Sequence, residues 1–309
     1  MPTNQPRVTR TMNSDLRSIS ILDAPSNLGL KPPAEGKEPG VKHMAQAIRS
    51  RGLLQRLGAV DAGTVEAPAY HGSLDVRLGI RNAEGLAIFA EALAVRIREL
   101  LERNRFPLVL GGDCSILPGS TLALRQLGRY GLLFVDGHTD LLMPSDSITG
   151  GAAGMDLALV TGTGPELLTN IDGQKPYVRP EDTVLFGYRW PDSESIARPS
   201  DPMKSYPLDA IRAQGIAESA KQAIIYLESS PTLGFWLHLD LDVLSPEWMF
   251  AVDSPDPGGL TPEELAILLK TVSQSKRCAG MQITIYDPTL DPDGVCCNQI
   301  VEILVLAFA

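Results

Sequence analysis

The chain has 309 residues, with 37 Asp+Glu against 27 Lys+Arg and only four His and four Cys. A net charge of −10 argues against general nucleic-acid binding, which needs cations that neutralise phosphates, and against adsorption to anionic membranes. No apolar run approaches the roughly 18 residues that cross a bilayer, and so few His and Cys exclude a centre rich in either.

Taken in chain order, residues 1–16 are polar, hold no apolar segment of the kind a secretory signal needs, and read as a disordered tail. Residues 17–309 read as one α/β domain. Short apolar runs bounded by turn residues predict strands at 18–24, more weakly at 59–66, then at 107–110, 131–135, 183–188, 235–241 and 281–286. Helices fall between them. In the segment 82–104, Leu86, Phe89, Leu93, Ile97 and Leu100 recur at helical spacing, with Glu91, Arg96, Glu99 and Glu102 outside. The segment 209–228 also reads as a helix despite Gly215. The segment 261–275 opens Thr-Pro-Glu-Glu, a cap followed by a proline suited to the first turn. Cys296 and Cys297 open a last helix. The Gly-rich stretch 150–164 and the Pro/Ser-rich stretch 190–207 read as loops. Continuous apolar strands alternating with helices predict a three-layer α/β/α sandwich around a mostly parallel, doubly wound sheet. Ligands in such folds bind beyond the carboxyl ends of the strands.

Three strand ends carry acids: Gly111-Gly112-Asp113-Cys114-Ser115, Asp136-Gly137-His138-Thr139-Asp140 and His238-Leu239-Asp240-Leu241-Asp242. Alternation along an extended segment would put Asp136, His138 and Asp140 on one face, and Asp240 with Asp242 on another. Crowded carboxylates repel, and a divalent cation removes that penalty. Oxygen ligands with one imidazole suit Mn²⁺, Zn²⁺, Ni²⁺ or Fe²⁺. The four cysteines, at 114, 278, 296 and 297, have no disulfide-framework spacing, so a reducing compartment, the cytoplasm, is expected.

These three motifs resemble the signatures of the arginase/agmatinase ureohydrolases. The resemblance spans most of the chain, from Gly40-Val41 and the RSRGL segment at 49–53, through SPDPGGL at 254–260, to YDPTLD at 286–291. It implies an α/β/α sandwich, a binuclear manganese centre, cleavage of a carbon–nitrogen bond in a guanidino or amidine compound by a metal-bound hydroxide, and assembly as a trimer or hexamer. By the same resemblance Asp136 and Asp240 bridge two metals, Asp140 completes the first, His138 and Asp242 complete the second, and Asp113 supports from outside. Asp140 and His238 are the candidate catalytic side chains.

The chain departs from that pattern. Cys114 stands at the position of the first metal's histidine, and a thiolate there favours Zn²⁺ or Ni²⁺ over Mn²⁺. Ala153 takes the place of a loop histidine that is a candidate proton shuttle. Ile285 takes that of a glutamate that contacts the guanidinium, so free arginine is an unfavoured substrate. Arg189 and Trp190 suit an anionic or planar substrate, or a packing role. His238 should share the face of Asp240, either as an acid/base group or as a buried, hydrogen-bonded imidazole. His43 and His71 read as surface residues. Two other functions stay open: a catalytically silent subunit that regulates a partner, and a single-metal amidohydrolase using Asp136, His138 and Asp240.

Overall fold

The computed structural model describes residues 18–189 and 202–308. The tail at 1–16, together with Trp190 and Asp192, lies outside the described residues. The strands are β1 (Ile19–Asp23), β2 (Val60–Thr64), β3 (Leu74–Asp75), β4 (Ile80–Arg81), β5 (Phe106–Leu110), β6 (Gly131–Val135), β7 (Thr183–Phe186), β8 (Lys204–Tyr206), β9 (Phe235–Asp240) and β10 (Cys278–Thr284). The α-helices are α1 (Met44–Ser50), α2 (Leu53–Arg56), α3 (Ala83–Glu102), α4 (Leu117–Leu127), α5 (Asp156–Val160), α6 (Glu166–Thr169), α7 (Leu208–Gln214), α8 (Ile216–Ser229), α9 (Pro262–Ser273) and α10 (Val295–Phe308).

Eight strands form one sheet in the order β2-β1-β5-β10-β9-β6-β7-β8, and every neighbouring pair in it is parallel. A separate antiparallel pair joins β3 to β4. Both faces of the sheet are covered, as its apolar strands require. Leu133, Val135, Leu237 and Leu239 pack with side chains of α1 and α7–α10 on one face. Leu132, Phe134 and Trp236 pack with those of α3, α4 and α5 on the other. This is the expected α/β/α sandwich. The order matters for function: β10 and β9 sit between β5 and β6, so four strand ends from distant parts of the chain lie side by side.

Local chemistry explains several boundaries. Thr261 caps α9 through a capping box, accepting from the Glu264 amide at 3.3 Å while the Glu264 carboxylate accepts from the Thr261 amide at 2.9 Å. The single helix expected at 209–228 is two, because Gly215 takes φ 90°, ψ 142°, a conformation open to glycine and outside the helical region. The expected loop at 150–164 is largely helical, a 3₁₀ turn at Ala152–Met155 running into α5. Its small residues let the segment pack: Ala152, Ala153, Met155 and Leu157 are all buried. Within the expected loop at 190–207, Lys204–Tyr206 forms the edge strand β8. His43 and His71 are exposed, as expected.

Candidate metal centre

Each of the three acidic motifs leaves its strand through the same device. The Asp113 carboxylate accepts from the Ser115 amide at 2.9 Å, Asp136 from His138 at 2.5 Å and Asp240 from Asp242 at 2.7 Å. An aspartate that bonds its own backbone two residues on makes a turn. The residues therefore do not converge by strand alternation. Strand β6 ends at Val135, Asp140 sits in the left-handed region at φ 45°, and Asp242 lies in the 3₁₀ turn Leu241–Val243. Turning back over the sheet edge is what brings Asp136, His138, Asp140, Asp240 and Asp242 together.

Two overlapping groups of candidate ligand atoms result. Cys114, Asp136, His238 and Asp240 have donor atoms within 4.8 Å of one another, as do Asp136, His138 and Asp140. His138 Nδ1 lies 2.8 Å from Asp242 and 3.7 Å from Asp136, and its Nε2 lies 3.2 Å from Asp256. The Cys114 thiol reaches Asp240 Oδ2 at 2.5 Å and Thr284 Oγ1 at 3.1 Å. Asp113 stays outside both groups. It accepts from Ser26 Oγ and the Gly29 amide, tying the segment after β1 to the centre.

Burial sets the electrostatics. Asp136 is pushed up to about 6, first by burial and then by Asp242. Asp140, Asp156 and Asp240 are driven well above the usual carboxylate range, first by burial and then by neighbouring carboxylates. Burial and the charge of Asp240 push the Cys114 thiol well up. Burial also opposes a charged His138, but Asp242 and Asp136 outweigh it and raise its pKa. Asp242 is held low because His138 outweighs its burial. Among the described residues, Asp136 Oδ2, both Asp156 oxygens and His238 Nε2 are buried without a hydrogen-bond partner. Unpaired buried carboxylates are costly. A divalent cation offsets their charge and favours the deprotonated ligands, so this donor set fits one.

Above these side chains opens a cleft of about 230 Å³, walled by Leu30, Leu142, Ala153 and Ile285 and edged by Lys31, Asp253 and Asp256. Ile285 has φ 77°, rare for a β-branched residue, and is held there by its amide bonded to Gly112 O at 2.7 Å. Such strain costs about 1–3 kcal/mol and gathers at functional sites. Arg189 reaches the cleft, but its guanidinium donates to the carbonyls of Asp242, Leu244 and Gly258. Its Nε and Nη2 hold two loops together, while Nη1 is buried without a hydrogen-bond partner among the described residues. His238 is fully buried, is hydrogen-bonded to Gln282 and is absent from the cleft wall.

Some residues of the centre escape sequence reasoning. Asp156 falls in a stretch that reads as a loop, and Gln282 lies mid-strand in β10 with no motif around it. Asp256 reads only as a loop acid until its carboxylate is found on His138. One signal was available for Asp156: an acid amid small and apolar residues is a candidate for burial.

Comparison with known proteins agrees with this geometry. A model of the arginase family matches residues 17–307. Arginase of Staphylococcus aureus (strain COL) is 31% identical over 300 residues, covering 93% of this chain and 96% of that protein. Arginase of Bacillus caldovelox is 32% identical over 286 residues, covering 89% and 93%. The native structure of Bacillus caldovelox arginase at pH 5.6 superposes with a TM-score of 0.82 at 29% identity, over 95% of this chain and 99% of that one. With fold, motif order and whole-length similarity in agreement, the chain belongs to the arginase family, hydrolases of non-peptide carbon–nitrogen bonds in linear amidines.

Proposed function

We propose that this protein hydrolyses a carbon–nitrogen bond of a small guanidino or amidine compound at a divalent-metal centre held by Asp136, His138, Asp140, Asp240 and Asp242, with Cys114 as a further ligand. The observation that carries the reading is the set of mutually repelling carboxylates at the floor of the cleft, Asp140, Asp240 and Asp242, with Asp136 buried beneath them and its Oδ2 left unpartnered. A divalent ion supplies Lewis-acid activation of water and charge stabilisation for the attacked group. The protein's own side chains do the rest. Leu30, Leu142, Ala153 and Ile285 exclude water around the substrate. Asp140 borders the cleft and, as a ligand, would be deprotonated with the ion bound, so its carboxylate can accept a hydrogen bond from the attacking water or the substrate. Asp253 at the rim can meet a cationic end of the substrate.

Ile285 in the wall supports the view that free arginine is a poor substrate, since an apolar side chain cannot pair with a guanidinium. Manganese is the ion that the family resemblance favours. The Cys114 sulfur argues for Zn²⁺ or Ni²⁺ instead. Two groups of donor atoms sharing Asp136 favour two ions over one. Four free, buried cysteines support a cytoplasmic setting. A homo-oligomer, trimer or hexamer, rests on the resemblance alone. The test is metal analysis after loading with Mn²⁺, Zn²⁺ or Ni²⁺, followed by assay of urea, ammonia and amine release over a panel of guanidines and amidines. One to two ions per chain with turnover supports the reading. Metal-free protein with no turnover under any ion overturns it.

A further inference from the structure

We propose that His238 is a positioning residue rather than a metal ligand, because a hydrogen-bond relay from Trp236 through Gln282 fixes its proton on the nitrogen that faces the metal carboxylates. The inference rests on the metal centre proposed above and concerns which of two imidazoles, His138 at the cleft or the buried His238, takes part in it. By distance alone His238 belongs to the candidate ligand group with Cys114, Asp136 and Asp240. The hydrogen-bond chemistry removes it.

An indole nitrogen can only donate, so Trp236 Nε1–H, 3.2 Å from Gln282 Oε1, determines which way that carboxamide points. The Gln282 NH₂ group then faces the imidazole and donates to His238 Nδ1 at 2.8 Å. Nδ1 must therefore present a lone pair. An imidazolium carries a hydrogen on both nitrogens, so a ring that accepts at Nδ1 is neutral. A neutral imidazole with an accepting Nδ1 carries its hydrogen on Nε2. Strand register builds the arrangement: Gln282 of β10 and Phe134 of β6 both pair with His238 of β9, one on each side. Phe134 stacks on the ring at 4.6 Å and fixes its plane.

Nε2–H then faces Asp136 Oδ2 at 3.9 Å and Asp156 Oδ2 at 3.8 Å, oxygens that have no other partner. A lone pair there would repel both carboxylates, whereas an N–H attracts them. At that spacing the N–H acts through space, as a dipole aimed at the carboxylates, rather than as a hydrogen bond. Metal-ligating imidazoles donate their second nitrogen's hydrogen to an acceptor. His138 has such an acceptor in Asp256, and His238 has the reverse arrangement. The relay thus leaves the centre one imidazole ligand, His138, and His238 acts through Asp136.

The experiment is NMR of the full chain labelled with ¹⁵N-histidine, without metal and with Zn²⁺, paired with X-ray absorption of the zinc form. The expected result is a His238 ring protonated at Nε2 and bare at Nδ1 in both states, a shift confined to His138 on adding Zn²⁺, and one imidazole in the zinc shell. Gln282→Glu turns the relay around, since a carboxylate accepts from both Trp236 and His238 Nδ1. That variant should move the ring proton, free Nε2 and raise the imidazole count to two. Gln282→Met, which cannot orient the ring, should weaken zinc binding by about 10–100-fold. A wild-type His238 that loses its Nε2 proton on binding Zn²⁺, or that carries the proton on Nδ1, overturns the relay and leaves the metal centre standing. Failure to bind any zinc while His238 keeps its Nε2 proton overturns the metal centre and, with it, any positioning role. Should either variant fail to fold, the wild-type spectra decide the matter.

Discussion

Around His138 both ring nitrogens meet carboxylates, Nδ1 with Asp242 at 2.8 Å and Nε2 with Asp256 at 3.2 Å, and the ring borders the cleft. Around His238 only Nδ1 is satisfied, and the carboxylate oxygens beside Nε2 have no partner. The first environment is paired before any ion arrives, and its charges favour a protonated ring. The second is sealed from water, and burial favours a neutral one. Two imidazoles on neighbouring strand ends thus differ in what surrounds them rather than in their own chemistry. The comparison teaches that closeness to acids does not by itself make a histidine a ligand. What its second nitrogen touches decides that.

Four changes would break or sharpen the contrast. Asp136→Ala removes the carboxylate common to both donor groups, so zinc or manganese affinity and turnover should fall by more than the about 100-fold of outer-shell changes. Metal titration and product release measure it, and a loss confined to one of two ions would show that the sides are independent. Asp256→Asn takes the charged acceptor from His138 and should cost about tenfold or more in metal affinity, with no change in the His238 ring signals.

The pH response should be smaller. Asp136 titrates near 6 in the folded chain against an ordinary 3.8. Between those values the metal-free folded state keeps a proton that the unfolded state has lost. This group's contribution to stability is therefore full below about 4 and disappears as pH rises through 6. Metal binding displaces the same proton, so affinity should rise about fivefold from pH 5 to pH 6 through Asp136 and go on rising above it, because Asp140, Asp240 and the Cys114 thiol also hold protons that the ion must displace. Calorimetry at a series of pH values checks both signs. The mildest change is Cys114→His. With Co²⁺ bound, the wild type should show a thiolate charge-transfer band that the variant lacks, while the melting temperature moves little. A wild type without the band would leave the sulfur as a buried thiol bonded to Asp240.

Legibility followed burial. The amphipathic helix α3 and the capped helix α9 were readable because one face or one end of each meets water and leaves a pattern. Helix α4 was not readable: all of its residues from Leu117 to Leu124 are buried, so no polar face marks the period. Edge strand β8 is three residues long, too short for alternation to show. At the centre, the D-x-H-x-D and D-x-D motifs stood out because each is local in the chain. Asp156, Gln282 and Trp236 were invisible as a group, since α5, β10 and β9 become neighbours only when the sheet is assembled.

The amino-acid order alone determined the layered α/β class, the family, and the acids that gather at the strand ends, because hydrophobic periodicity and short motifs act over a few residues. Only the tertiary structure decided how those acids face one another, which carboxylates lack partners, and where the proton of His238 resides. Those properties depend on hydrogen bonds across strands that lie far apart in sequence, 46 residues between Trp236 and Gln282 and 44 between Gln282 and His238. The direction of such a bond is set by donor and acceptor geometry after the sheet has formed.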